Sequence, residues 1–325
     1  MKILRHSKYN TLHHKPSGSG FRNTWGGSTL LHELSYAQSQ FKFPWNNRYN
    51  TTAHRQIREE EFASGSESQA FWLGHATVLV QDHGLNMITD PVFCKRVSPF
   101  TFAGPERKVP LPLKVSGLPR IDVVLISHNH YDHLDKEAVI AINRRDKPAF
   151  FVPLGVKQLL LSWGIGNIIE LDWWQYVEYN SLKLHCLPAK HFSGRWLNDR
   201  DDTLWASWMY ESNHNLIYFA GDSAYANHFY EISDTLGPPG YALMPIGAYQ
   251  PRGVMREVHV DPKEAVQAFL DMSAENFFAI HWGTYNLAME PFDEPPRLLH
   301  EFTEARGIKS ERVHTLAVGG SIPLF

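Results

Sequence analysis

Ser127-His128-Asn129-His130-Tyr131-Asp132-His133 directly follows the apolar run 122–127 (DVVLIS), and this stretch decides the reading of the fold. Side chains two apart at the end of a strand point the same way, so His128 and His130 can grip one metal ion. The chain then turns toward a helix starting near Asp135. That turn carries Asp132 and His133 to the other side of the site, where they can grip a second ion. Imidazole and carboxylate donors suit Zn²⁺, with iron and manganese as other occupants.

A cluster of four needs completion from elsewhere, and the ends of downstream apolar runs offer candidates. His191 follows 182–189 (LKLHCLPA), Asp222 ends 215–222 (NLIYFAGD), and His281 sits near the end of 277–282 (FFAIHW). Functional groups in open α/β architectures gather beyond strand C-termini. The expected grouping is His128, His130 and His191 on one ion, Asp132, His133 and His281 on another, with Asp222 bridging. Two divalent ions against two aspartates and a hydroxide leave a charge of about +1, a good seat for phosphate. Alternatives remain at single positions: His191 also suits a loop cap, and Asp222 between Gly221 and Ser223 also suits a turn.

Softer signals surround this set. Asp90 in Thr89-Asp90-Pro91 either orients a ligand imidazole or opens a proline turn. His75 either lines the pocket or is held by backbone. Tyr131 is a candidate for substrate contact or ligand support. His259 precedes a helix start, where it reaches substrate or helps the cap. Asp132, Asp222 and His259 are the catalytic candidates. Trp173-Trp174 reads as core packing.

Outward from the motif, β-rich runs recur at 71–81, 85–90, 149–153, 167–171, 204–211 and 241–246. Several are nearly all apolar, as expected for strands covered on both faces. Helical patterns fall at 135–145, 155–163, 224–236, 261–272 and 294–306, the fourth opening on Asp261-Pro262. Strands and helices without strict alternation indicate an α/β (α+β) chain with two packed sheets and helices outside. Residues 1–65 read as a largely irregular arm, with a short charged helix over 50–61. Residues 66–325 read as the catalytic domain.

The chain has 325 residues, 43% hydrophobic and 20% charged, which excludes disorder and allows a sizeable core. Lys and Arg total 31 against 34 Asp and Glu, a formal net charge of -3 that argues against a nucleic-acid partner. The two cysteines, Cys94 and Cys186, encode neither a disulfide framework nor a Cys-type zinc knuckle. The start, MKILRHSKYNTLHHKP, has no apolar core of a signal peptide, and no run reaches the ~18 residues of a membrane span. The expectation is a cytoplasmic chain, at most peripheral to a membrane surface.

His128-x-His130-x-Asp132-His133, with His191, Asp222 and His281, resembles the metallo-β-lactamase superfamily. The resemblance implies a four-layer αββα sandwich of two mixed sheets with helices on the outer faces and a dinuclear site at one edge. The diiron oxidoreductases of the superfamily carry a Glu where this chain has His130, so the likeness favours hydrolysis. Six stretches, Trp72–Thr77, Ile126–Asp135, Glu170–Trp174, Pro245–Tyr249, His259–Pro262 and His281–Thr284, are similar to the N-acylphosphatidylethanolamine-hydrolysing phospholipase D family. That likeness implies two zinc ions at the seven matched ligands and attack of hydroxide on a lipid phosphodiester. The products would be an N-acylethanolamine and phosphatidic acid. It also implies a homodimer and peripheral membrane contact. The alternative is a soluble lactonase or phosphoesterase resembling the L-ascorbate-6-phosphate lactonase branch. A polar pocket lined by Lys or Arg favours that alternative, whereas an apolar route to the metals favours the phospholipase.

Overall fold

In the computed structural model, residues 1–26, 52–62, 68–196, 198–212 and 215–325 are described. Among them, the strands in chain order are β1 (Ile3–Arg5), β2 (Gln69–Gly74), β3 (Thr77–Asp82), β4 (Leu85–Thr89), β5 (Val123–Leu125), β6 (Ala149–Pro153), β7 (Ile168–Leu171) and β8 (Gln175–Tyr179). They continue with β9 (Leu182–Leu187), β10 (Ser207–Ser212), β11 (Asn215–Phe219), β12 (Tyr241–Pro245), β13 (Asn276–Ile280), β14 (Val313–His314) and β15 (Ser321–Pro323). The helices are α1 (Lys136–Asp146), α2 (Val156–Ser162), α3 (His228–Leu236), α4 (Arg252–Met255), α5 (Pro262–Asp271) and α6 (Glu294–Ala305).

The strands form two mixed sheets, ordered β15-β2-β3-β4-β5-β6-β7 and β1-β8-β9-β10-β11-β12-β13-β14. Each has an antiparallel half, and each has a parallel half, β4 to β7 in the first and β11 to β14 in the second. Alternation along the strands shows why they stack. Trp72, Val78 and Val80 join Leu184, Trp208 and Leu243 in the core between the sheets. Their neighbours Phe71, Leu73 and Leu79 face the other way, in the layer holding Val139 and Ile142 of α1 with Val156 and Leu160 of α2. A buried side chain of this size contributes about 1.5–3 kcal/mol. On the opposite flank, Phe269 of α5 packs on Phe277 of β13, ring centroids 5.5 Å apart. The result is the expected four-layer αββα sandwich.

Local chemistry starts the helices where the sequence indicates. Asp135 accepts from the backbone N–H groups of Glu137 and Ala138, capping α1, and Asp261 accepts from that of Glu264 ahead of Pro262. Other boundaries differ. The run 71–81 splits into β2 and β3 because Gly74 (φ 106°) and His75 (φ 55°) turn the chain; both turn residues are buried, so no polar turn signature marks them. The helix expected at 224–236 begins only at His228, since the Ala224 N–H bonds to Lys190 O (2.8 Å). Strands β1, β8, β14 and β15 and helix α4 lie outside the expected elements.

Of the arm 1–65, residues 27–51 and 63–65 lie outside the described residues, and so does the start of the expected helix 50–61. Its described part contains one 3-10 turn, Glu59–Glu61. Residues 1–26 lie against the sandwich. Strand β1 pairs with β8, and Asp172 accepts from His13 Nε2 (2.6 Å), His14 Nε2 (3.0 Å) and the Trp173 N–H (2.8 Å). Among the described residues, no helix is long and apolar enough to cross a membrane.

Gly221, at φ 58°, sits where the chain leaves β11 against Ser127, and an added Cβ would meet the Ser127 Cβ at 2.6 Å. Gly221→Ala is therefore expected to destabilise the fold by about 1–3 kcal/mol. Gly253→Ala, in a helix with nothing within 4 Å, is the control and should be neutral or mildly stabilising. Denaturant melts of the two variants check this; equal midpoints would contradict it.

Candidate metal centre

All the parallel-half strand ends that matter open on one edge of the sandwich. Asp90 follows β4, His128 follows β5, Asp222 follows β11 and His281 follows β13. Strand β9 runs in the direction of β11, so its exit brings His191 to the same edge.

Three imidazole nitrogens meet on one side. His128 Nε2 lies 2.7 Å from His130 Nδ1, and His191 Nε2 lies 3.3 Å from the same atom. Burial and the neighbouring histidines push all three below the ordinary imidazole value, His130 to about 3 and His191 to about 4. They are neutral donors aimed at a common point. On the other side His133 Nε2 lies 3.5 Å from Asp132 Oδ2 and 3.1 Å from Asp222 Oδ2. His281 Nε2 lies 3.6 Å from Asp132 Oδ2 and 3.0 Å from Asp222 Oδ1. Asp222 also reaches to 3.7 Å from His191 Nε2, so its carboxylate stands between the two groups.

The supporting contacts set the tautomers. Asp90 is wholly buried and accepts from the Ser127 N–H (2.7 Å) and from His133 Nδ1 (2.6 Å). The Ser127 hydroxyl donates to Asp90 and stands 2.9 Å from His128 Nδ1, so it accepts that N–H. His191 Nδ1 donates to Val258 O at 2.8 Å. In each case the outer nitrogen is occupied and the inner one turns to the site. His75 is buried with Nε2 3.0 Å from Asp132 Oδ2, and its carbonyl accepts from the His281 N–H at 2.8 Å. Its ring thus sits behind Asp132 and is not among the residues lining the cavity in front of the site. Tyr131 lines the cavity in front of the site, its ring under the Arg195 guanidinium at 3.9 Å. His259 lines the same cavity, Nδ1 3.8 Å from Asp222 Oδ2.

A cation fits this donor set. His133 Nε2, His281 Nε2 and Asp222 Oδ1 are buried without a hydrogen-bond partner, a costly state unless something else satisfies them. Burial works against charge on His133 and His281, yet Asp222 and Asp132 outweigh it, raising His133 well above its ordinary value and His281 to about 9. Burial likewise opposes charge on Asp132 and Asp222, but the histidines hold both well below the usual carboxylate range. Protons thus stand in for the positive charge that the two aspartates demand.

The comparisons agree. Residues 86–282 match the family model described as a beta-lactamase superfamily domain. The chain belongs to the metallo-β-lactamase superfamily. Within that superfamily it is 40% identical over 262 residues to an N-acyl-phosphatidylethanolamine-hydrolyzing phospholipase D of Caenorhabditis elegans, covering 77% of this chain and 74% of that protein. An uncharacterised protein of Mycobacterium tuberculosis is 43% identical over 229 residues, 69% of this chain and 61% of the relative's length. The fold matches Igni18, a metallo hydrolase from Ignicoccus hospitalis, at a TM-score of 0.61 and 19% identity, over 79% of this chain and 98% of that one.

Sequence reasoning missed two parts of the site. Ser127 adjoins the motif yet carries no metal-ligand signature. Arg195 donates to Asn129 O (2.8 Å) and Leu134 O (2.9 Å), stapling a distant loop onto the motif's backbone. An arginine in a polar loop gives no hint of that.

Metal uptake at neutral pH should release protons, because a cation displaces those on His133 and His281. The apparent affinity should rise with pH as the two imidazoles, both held above their ordinary value, give up their protons more readily, His281 near pH 9. Titration calorimetry in buffers of different ionisation enthalpy checks this; a heat independent of buffer would contradict it. Asp90→Asn replaces one of the two accepting oxygens and removes the charge behind His133 and Ser127, so it cannot accept from both sides, and should lower metal affinity about 10–100-fold with the fold intact. Unchanged metal content after dialysis against a chelator would refute the role.

Proposed function

We propose that this protein is a metal-dependent hydrolase, a zinc-dependent phosphodiesterase of phospholipase D type. It would cleave N-acylphosphatidylethanolamine-like lipids to N-acylethanolamine and phosphatidic acid. Similarity to the nematode enzyme supports this reading, and the cavity in front of the candidate ligands carries it. That space of ≈ 250 Å³ is lined by His130, Asp132, His191, Asp222 and His259 at its floor, with Val97, Phe192, Met255 and Leu287 among its walls. Among its described lining residues there is no Lys or Arg. A small anionic sugar lactone would need such cations for recognition, whereas an amphiphile carrying one phosphodiester needs charge only at the floor. The lactonase alternative is therefore not favoured.

His128, His130 and His191 would hold one zinc ion, and Asp132, His133 and His281 the other, with Asp222 shared. Bound there, the ions supply the Lewis acidity that activates water and offsets charge developing on the phosphodiester. Asp222, an acceptor held ionised by its histidines, is placed to orient that water and take its proton. His259, whose Nδ1 has no hydrogen-bond partner, is placed to meet a phosphodiester oxygen. The family resemblance of the sequence extends the proposal to a homodimer in peripheral contact with a membrane.

Zinc-loaded protein incubated with N-acylphosphatidylethanolamine in detergent should yield phosphatidic acid and N-acylethanolamine, identified by mass spectrometry. Absence of both would overturn the assignment. His259→Ala should lower kcat about 10²–10⁴-fold while both ions stay bound; loss of metal would move His259 into the coordination shell.

A further inference from the structure

The cavity in front of the ligands shares Phe192 and Gly194 with a groove of ≈ 610 Å³ that also takes in Pro99, Phe100 and Trp196. The rim of this groove is aromatic and wet. Phe100 is 47% exposed, Phe102 80% and Trp196 56%. The three rings form one patch, with centroids 5.6 Å apart for Phe100 and Phe102 and 6.3 Å for Phe100 and Trp196. Contiguous rings left in water at the mouth of a cavity mark a surface that something apolar covers.

Charge beside the patch narrows what that is. Lys95 and Arg96 line the adjoining space with Phe100 and Trp196. Close by, the one Glu106 carboxylate is shared by Lys95 (3.1 Å), Arg96 (3.3 Å) and Lys108 (3.7 Å), three cations to one anion, while Asp135 and Glu137 line the same space together with Lys136 and Arg195. The nearby Asp199 is engaged by the backbone N–H groups of Arg195 and Trp196. Aromatic rings flanked by cations fit the headgroup–acyl boundary of a bilayer bearing phosphate, the setting in which Trp and Phe are stable with one face wet.

The patch is also fixed in relation to the metal motif. Trp196 belongs to the loop whose preceding residue, Arg195, bonds to Asn129 O and Leu134 O, while the Gly194 N–H donates to Asn129 Oδ1 at 2.8 Å. A surface held by the rings is thereby held in register with the candidate ligands.

We propose that Phe100, Phe102 and Trp196 are the ridge by which this protein seats on a phospholipid bilayer, presenting the metal cavity to lipid in the leaflet it faces. The inference rests on the lipid substrate proposed above and adds the surface through which that lipid is met. All three side chains are exposed, so replacing them with serine leaves the fold unburdened.

Co-sedimentation of the zinc-loaded protein with phosphatidylcholine vesicles, with and without phosphatidylglycerol, tests the seating without requiring turnover. The Phe100→Ser, Phe102→Ser, Trp196→Ser variant should bind on the order of a hundredfold more weakly, as expected when three rings leave the interface. It should hydrolyse vesicle lipid poorly yet retain wild-type turnover of bis(p-nitrophenyl) phosphate, a water-soluble phosphodiester. Phosphatidylglycerol should tighten wild-type binding. Wild-type protein that ignores vesicles, or a variant that binds them undiminished, overturns the seating even if lipid is cleaved in detergent. A variant that converts a dimer to a monomer with vesicle binding unchanged also overturns it, assigning the ridge to a second copy. Vesicle binding lost in the variant, with no lipid cleaved by either protein, sustains the seating and fails the substrate reading instead.

Discussion

The buried Asp90 carboxylate governs the rest of the site. It accepts from His133 directly and from Ser127, which in turn accepts from His128. One acceptor thereby decides which nitrogen of two imidazoles faces inward, one in each half of the donor set. Without it, either ring is free to flip or change tautomer, and a cluster of histidines would be a loose polar pocket. Its position at φ 33°, outside the usual backbone range, shows the surrounding structure holding it there. His75 (φ 55°), Ala248 (φ 59°) and His281 (φ 58°) share this departure, so backbone strain gathers at the same edge.

A second constraint is electrostatic. Two aspartates, Asp222 buried and Asp132 half-buried, lie among imidazoles, and withdrawing an unmatched carboxylate from water is costly. In the protein alone, His133 and His281 answer them by holding protons. His128, His130 and His191 remain neutral with lone pairs inward. The asymmetry separates a group that can take a cation at little cost from a group that must exchange protons for one.

Much of this was legible in the sequence because the informative residues were local. The motif 128–133 lies on a short strand exit, where spacing maps onto direction. His191, Asp222 and His281 were readable as strand-end residues because the runs before them are apolar. The parts that were not legible are those where contact replaces pattern. His75 and the preceding glycine turn the chain inside the core, so the run 71–81 looked continuous. Ser127 and Arg195 act through long-range hydrogen bonds that leave no periodic trace. Strand β1 escaped notice because three residues cannot establish an alternation, and its pairing with β8 depends on a partner more than 160 positions away.

The donors come from both sheets: His128, His130, Asp132 and His133 from the first, His191, Asp222 and His281 from the second. An ion gripped by such a set would be a rivet driven through the sandwich, adding to the apolar packing and to the hydrogen bonds, such as His281 N–H to His75 O, that already join the layers. Chemistry and architecture then share one fastening, so the condition that arms the enzyme also locks its frame.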